Sequence, residues 1–197
     1  MANSAQAFGF VPVRTLDGTG ATATVRFAKS AATGDDARIA VGDPVRLVNG
    51  TVEKLLTADI SAASGTYLGV VANVLNANGR PKDAFSGSGS ISTTANTTDL
   101  FDVFVQSEIV YRVASDLDAI TPTSAARYIG TNANVVFTAA TDVDNRLGAS
   151  TARLTFTGTL SADAPFRVVG VSQTVADTTN TIFEVIGNAT VYKNGKA

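Results

Sequence analysis

The segment Arg46-Leu47-Val48-Asn49-Gly50-Thr51-Val52-Glu53 constrains the fold of this chain more than any other. Two runs of β-forming residues flank a two-residue Asn-Gly. A type I′ turn needs positive φ at both central positions, and Asn and Gly adopt it at low cost. The segment therefore predicts a tight antiparallel hairpin. Gly42-Asp43-Pro44 just before it is turn chemistry. The same reading extends along the chain. Ala21 to Lys29 carries Ala23, Val25 and Phe27 on one face of a strand. Tyr67 to Leu75 reads as a buried strand in which Gly69 permits close backbone approach. Leu100 to Val113 reads as a strong strand region. Further strands are expected at 134–137, 152–157, 166–171 and 181–191. Thr121-Pro122 is a helix start with Pro at its first position, and Gly130 is placed to close it. Short strands spaced by turns predict a mainly β protein: an antiparallel β-barrel or sandwich, in one body or two small β lobes, with at most one or two short helices.

Domain organisation follows from composition. Residues 1–14 read as an extended N-terminal arm, because Gly9 and Pro12 discourage a helix. A first β-rich part covers 15–84. Residues 85–99, rich in Ser, Gly and Thr, read as a linker or long loop. A second β-rich part covers 100–197.

Composition excludes several kinds of chemistry. The chain has no Cys and no His. That removes thiol nucleophiles, Cys-based zinc and iron–sulfur sites, the commonest general base and the Ser-His-Asp triad. Only Glu53, Glu108 and Glu184 are glutamates. Charged residues make up 16% of the chain, against about 25% in ordinary soluble domains. The net charge of −2 offers no basic field for nucleic acid or an anionic membrane. So weakly charged a surface is one expected to be covered. Residues 1–14 lack the pattern of a signal peptide, and the most apolar run, Tyr67 to Leu75, is too short to span a bilayer. The expectation is a soluble protein made in a cytoplasm.

Local motifs have ordinary readings. Asp142-x-Asp144-Asn145 begins like a calcium loop, but Leu147 and Arg153 stand where an EF-hand needs Gly and Glu. Gly18-x-Gly20 precedes a strand, not the helix that a dinucleotide fingerprint requires. Asn78-Gly79-Arg80 is a turn. Asp35-Asp36 and Asp116/Asp118 sit in turn-like settings where both acids would ionise. No metal site, cofactor site or catalytic residue is expected.

Phe8, Phe10, Val13 and Arg14 are the candidate contact residues. Two readings stand. They begin the first strand and enter the chain's own core, or they form an arm that adds a strand to a neighbour's sheet edge, with the Phe side chains as anchors. On the second reading, truncating residues 1–13 should leave a folded protein that no longer binds its partner.

Six segments carry a resemblance: FGFVPVR at 8–14, VGDPVRLVNG at 41–50, YLGVVANV at 67–74, ARYIGTNANVV at 126–136, FRVVGV at 166–171 and IFEVIGNATVYK at 182–193. Their order resembles the small decoration or cement proteins that coat the heads of tailed bacteriophages. The resemblance implies a non-enzymatic, largely β protein on the outside of an icosahedral capsid. Its partners would be the major capsid protein and itself, as a trimer or less often a dimer. It would be made in the host cytoplasm and reside on the virion surface, without cofactor, nucleic acid or membrane. The alternatives are another virion β module, such as a head–tail connector or tail component, and a carbohydrate-binding β-sandwich. The last is disfavoured by the absence of Trp. A glycosidase needs only two acids at fixed separation, but one must have a raised pKa, and most acids here lie in turns.

Overall fold

The computed structural model describes residues 9–18, 23–29, 39–55, 67–82, 99–117, 121–137, 143–144, 149–156, 164–173 and 180–188. Phe8, Gly20, Asp35, Asp36, Asp118, Asp142 and the 86–98 stretch lie outside them.

The chain is mainly β, with one short helix among the described residues. In order, the strands are β1 (Val11–Thr15), β2 (Thr24–Ala28), β3 (Pro44–Val48), β4 (Thr51–Lys54), β5 (Tyr67–Leu75), β6 (Leu100–Phe104) and β7 (Ile109–Ala114). Helix α1 (Pro122–Ala126) follows. Then come β8 (Asn132–Phe137), β9 (Val143–Asp144), β10 (Ala149–Ser150), β11 (Ala152–Thr155), β12 (Phe166–Gln173) and β13 (Ile182–Gly187). A six-stranded antiparallel sheet runs β1-β7-β13-β12-β8-β11, and a five-stranded one runs β2-β6-β5-β3-β4. β9 and β10 form a small ribbon. In the five-stranded sheet the two end strands meet at a single parallel bridge, Lys29 to Val52, and in the six-stranded sheet β11 meets the residue after β7 at another, Ser115 to Leu154. One bridge does not close a barrel, so the architecture is the sandwich of the two options that the sequence left open.

The hairpin is where the sequence puts it. Asn49 has φ +48° and Gly50 φ +82°, and Val48 pairs with Thr51 across the turn. Helix α1 starts at its expected place: Thr121 caps it, its Oγ1 accepting from the Ser124 amide at 3.3 Å. β5 has the expected bounds.

One expectation about organisation gives way. Leu100 to Val113 is not one strand region. Polar Gln106-Ser107-Glu108 separates β6 from β7, and the two strands belong to different sheets. The two β-rich parts do not segregate. β6, from the second part, pairs with β5 and β2 of the first, and β1 pairs with β7. β5 and β6 flank the Ser/Gly/Thr stretch and are antiparallel neighbours, Leu75 opposite Leu100. At its base Lys82 Nζ meets Asp99 Oδ2 at 2.6 Å. The stretch thus connects adjacent strands of one sheet, the loop of the two readings that its composition left open. Composition marks such a segment but carries no information about which strands flank it.

β5 explains how two cores share one chain. Its Leu68, Val71 and Val74 pack with Ile39, Val45, Val52, Phe101 and Val103. Its Tyr67 and Val70 pack with Phe10, Tyr111, Phe166 and Phe183. A plain strand would send residues 68 and 71 to opposite faces, since side chains alternate. The register slips once between Val45 and Arg46 of β3 and once between Val71 and Asn73 against β6. Each extra residue resets the alternation, so β5 feeds both cores.

Gly69 lies at the tightest point of this partition. A Cβ there would overlap the Phe104 carbonyl oxygen and stand 2.9 Å from Val103 Cγ1. The obstacle is backbone and cannot rotate away. Gly69→Ala is expected to destabilise the fold by about 1–3 kcal/mol, the usual cost of overpacking. Urea denaturation measures it, and an unchanged midpoint would contradict this packing.

Candidate interaction edge and the Asp43 node

Two places in the fold bear on function. The first is the β1 edge. β1 ends the six-stranded sheet among the described residues. Pro12, which has no N–H to give, is at home on an edge strand. Val11 pairs with Arg112, Pro12 with Tyr111 and Arg14 with Val110. Val13 is the extra residue in that register, and a bulge of this kind re-aims a side chain. Val13 is 42% exposed, and Leu16 just beyond is 48% exposed. The Arg14 guanidinium reaches across β7 to Glu184 on β13 at 2.7 Å. With both groups partly in water, the pair contributes at most about 1 kcal/mol.

The four candidate contact residues therefore separate. Val13 and Arg14 lie together on the exposed edge. Phe8 is outside the described residues. Phe10 is buried, stacked on Phe166 at 4.4 Å and set edge-on to Tyr111 at 6.2 Å. It anchors its own core, which is the first of the two readings. Truncating residues 1–13 removes this ring and most of β1, so the variant loses stability together with any contact. It cannot isolate binding as expected from sequence.

The second place is the turn before β3. The Phe10 amide donates to the Gly42 carbonyl at 2.9 Å. The Gly42 amide donates to Val71, and the Val71 amide donates back to the Asp43 carbonyl, each at 2.9 Å. The Asp43 carboxylate accepts from the Ala40 amide at 2.8 Å. Lys54 Nζ stands 3.2 Å from Asp43 Oδ2, and neither side chain has any solvent exposure. The Phe137 ring lies 4.2 Å from the same ammonium. This is a buried ion pair at the junction of β1, β3, β4, β5 and β8.

Burial is the main influence on Asp43 and raises its pKa above the ordinary carboxylate value. The Lys54 charge, the nearby Ser150 hydroxyl and the Ala40 amide oppose that rise. Oδ1 nevertheless accepts no hydrogen bond. The Ser150 oxygen itself accepts from the Ala152 amide at 3.0 Å.

Sequence reading found the Gly-Asp-Pro turn and missed its partner. The signal was available. The Asn-Gly turn fixes Val48 opposite Thr51, and counting back puts Arg46 opposite Glu53 and Val45 opposite Lys54. The first of those pairs is an ion pair at 2.7 Å. The second brings Lys54 beside the turn that holds Asp43.

Other sequence motifs are structural here. Asn78-Gly79-Arg80 is a turn organised by Asn76, whose side-chain oxygen accepts from the Asn78 and Arg80 amides. Among the described residues, no three acidic side chains gather as a metal site would require. No helix among them is long and apolar enough to cross a membrane.

Compared with known proteins, the chain matches no family model, no curated protein and no solved structure. The class that can be stated is that of the fold: a mainly β protein of two antiparallel sheets.

Proposed function

We propose that this protein is a structural component of a phage virion, binding the outer surface of an icosahedral capsid and cementing neighbouring capsid subunits. One observation carries the reading. Segments that resemble head decoration proteins lie far apart in sequence, yet three of them meet at the Asp43 node. Phe10 comes from the first, Gly42 and Asp43 from the second, and Val71 from the third. Phe166, from a fourth, stacks on Phe10. The resemblance thus falls on a packed framework and not on scattered loops.

The mechanism is linkage. A protein that binds only the assembled shell stabilises it by RT ln(1 + [L]/Kd), about 2.7 kcal/mol per site at one hundred times Kd. Repeated over a lattice, this resists the pressure of packaged DNA. The role needs no catalytic group or cofactor. The partners are the major capsid protein and further copies of this chain, with a trimer favoured. The β1 edge is the contact that we assign, through Val13 and Arg14.

Copy number tests the role. In particles from the source of this sequence, hundreds of copies in simple ratio to the shell protein support a lattice-wide cement. About a dozen copies, the order that a single ring would supply by symmetry, move it to a connector or tail. Absence from particles overturns the virion reading and favours a carbohydrate-binding module. Val13→Asp tests the contact. Its exposed site should leave stability within about 0.5 kcal/mol, while shell binding weakens about tenfold or more, as for a central contact residue. Unchanged binding would clear the β1 edge of that role.

A further inference from the structure

We propose that Lys54 and Asp43 are a site of spontaneous amide formation, in which an isopeptide bond joins Lys54 Nζ to Asp43 Cγ and ties β4 to the turn before β3. The inference stands apart from the capsid role.

The geometry is that of reactants held for condensation. Lys54 Nζ stands 3.2 Å from Asp43 Oδ2, one bond from the carbon it would attack, with no solvent exposure on either side chain. Once the reacting atoms, Nζ and Cγ, align at about 3–3.5 Å, such groups react with effective molarities of about 10⁵ M or more. Burial disfavours charge on the Asp43 carboxylate. The amine can add to Cγ once one proton has passed from the ammonium to the carboxylate, which gives a neutral amine facing a neutral acid. The carboxyl pKa, raised by burial, leans the same way.

The two carboxyl oxygens have different surroundings, and each suits one fate. Oδ2 accepts from the Ala40 amide at 2.8 Å. That donor can steady negative charge on Oδ2 as the amine adds to Cγ, and Oδ2 remains as the amide oxygen. Oδ1 is buried and accepts no hydrogen bond, and it leaves as water after taking up the two protons that the ammonium gives up. One C–N bond forms and one C–O bond breaks. The ammonium gives up two hydrogens, the carboxylate gives up one oxygen, and these leave as one water. No oxidant or further reactant is needed. The product replaces two buried charges with one neutral amide, next to a Phe137 ring that helps keep water from reversing the step.

The test is intact-mass measurement of the purified full chain under denaturing conditions, followed by peptide mapping. The expected result is a mass lower by one water, with a branched peptide in which Lys54 is linked to Asp43 and resists trypsin. Mapping is essential because Asp17-Gly18 can also lose water, as a cyclic imide. Asp43 cannot take that route, since Pro44 has no N–H to close the ring. Lys54→Arg keeps the charge and should show no water loss that maps to Asp43, whether or not it folds. A full-mass wild-type protein, or a water loss that maps elsewhere, overturns the proposal.

Discussion

Lys54→Met is expected to destabilise the protein by about 3–5 kcal/mol at pH 7 relative to the chain in which the Asp43–Lys54 pair is ionic, the cost of leaving one member of a buried ion pair uncompensated. Met nearly matches the length of Lys, so the packing around Phe137 is largely kept. What remains is the Asp43 carboxylate, fully buried and deprived of the charge that opposed its rise in pKa. The direction of the pH dependence follows. In the unfolded chain Asp43 titrates near its ordinary value of about 3.9. In the folded variant its pKa lies above that, so between the two values the folded state binds more protons. Stability contributed by the neutral acid is complete below about pH 3.9 and is lost as pH rises through the folded value. The variant should therefore unfold at lower denaturant at pH 7 than near pH 4. Urea titration of the variant at the two pH values measures this. Equal midpoints, or a midpoint that rises with pH, would show that Asp43 is not the buried group described.

Phe10→Ala is expected to cost about 3–5 kcal/mol, as for other Phe truncations in closed cores. Phe10 stacks on Phe166, which in turn meets Tyr67 edge-on at 4.9 Å. The ring therefore joins the start of the chain, β5 and β12. With a urea m-value of about 2 kcal/mol/M, the midpoint should fall by on the order of 2 M. A loss below about 1 kcal/mol, the level of ordinary surface changes, would return Phe10 to the list of outward anchors. The paired outcome with Val13→Asp is informative. The two residues are near neighbours in sequence, yet one change should act on folding and the other on association.

Particular residues show why some of this was legible in sequence and some was not. Asn49-Gly50 specifies its hairpin because backbone conformation alone decides it. Thr121-Pro122 specifies its helix start for the same reason. β5 was legible as a strand because it is apolar on both faces. Its two register slips were not, because they depend on β3 and β6 lying alongside. The division of Leu100 to Val113 between two sheets was equally hidden: alternation reports that a segment is extended, not which strand it will join. Phe10 is apolar on any reading, and only the fold decides whose core receives it. For the candidate site, the exposure of Val13 and Arg14 depends on a bulge against β7, which no local pattern encodes. The Asp43–Lys54 pair was within reach of register counting from the hairpin. The turn and the lysine are conspicuous separately, and only their spacing unites them.

The strand order has a consequence for how the chain can assemble as it emerges from a ribosome. The five-stranded sheet is complete once Phe104 has been made, so that half can form early. The six-stranded sheet cannot. β1 sits at its edge beside β7, and β7 rests on β13, one of the last strands made. Phe10 and β1 must therefore wait for Phe166 and β13 before their core closes. Pairing across such separations is slow, on the millisecond-to-second scale typical of high contact order. During that wait the apolar ring near the start of the chain has no native shelter, and that interval is when the molecule is most open to the wrong partner.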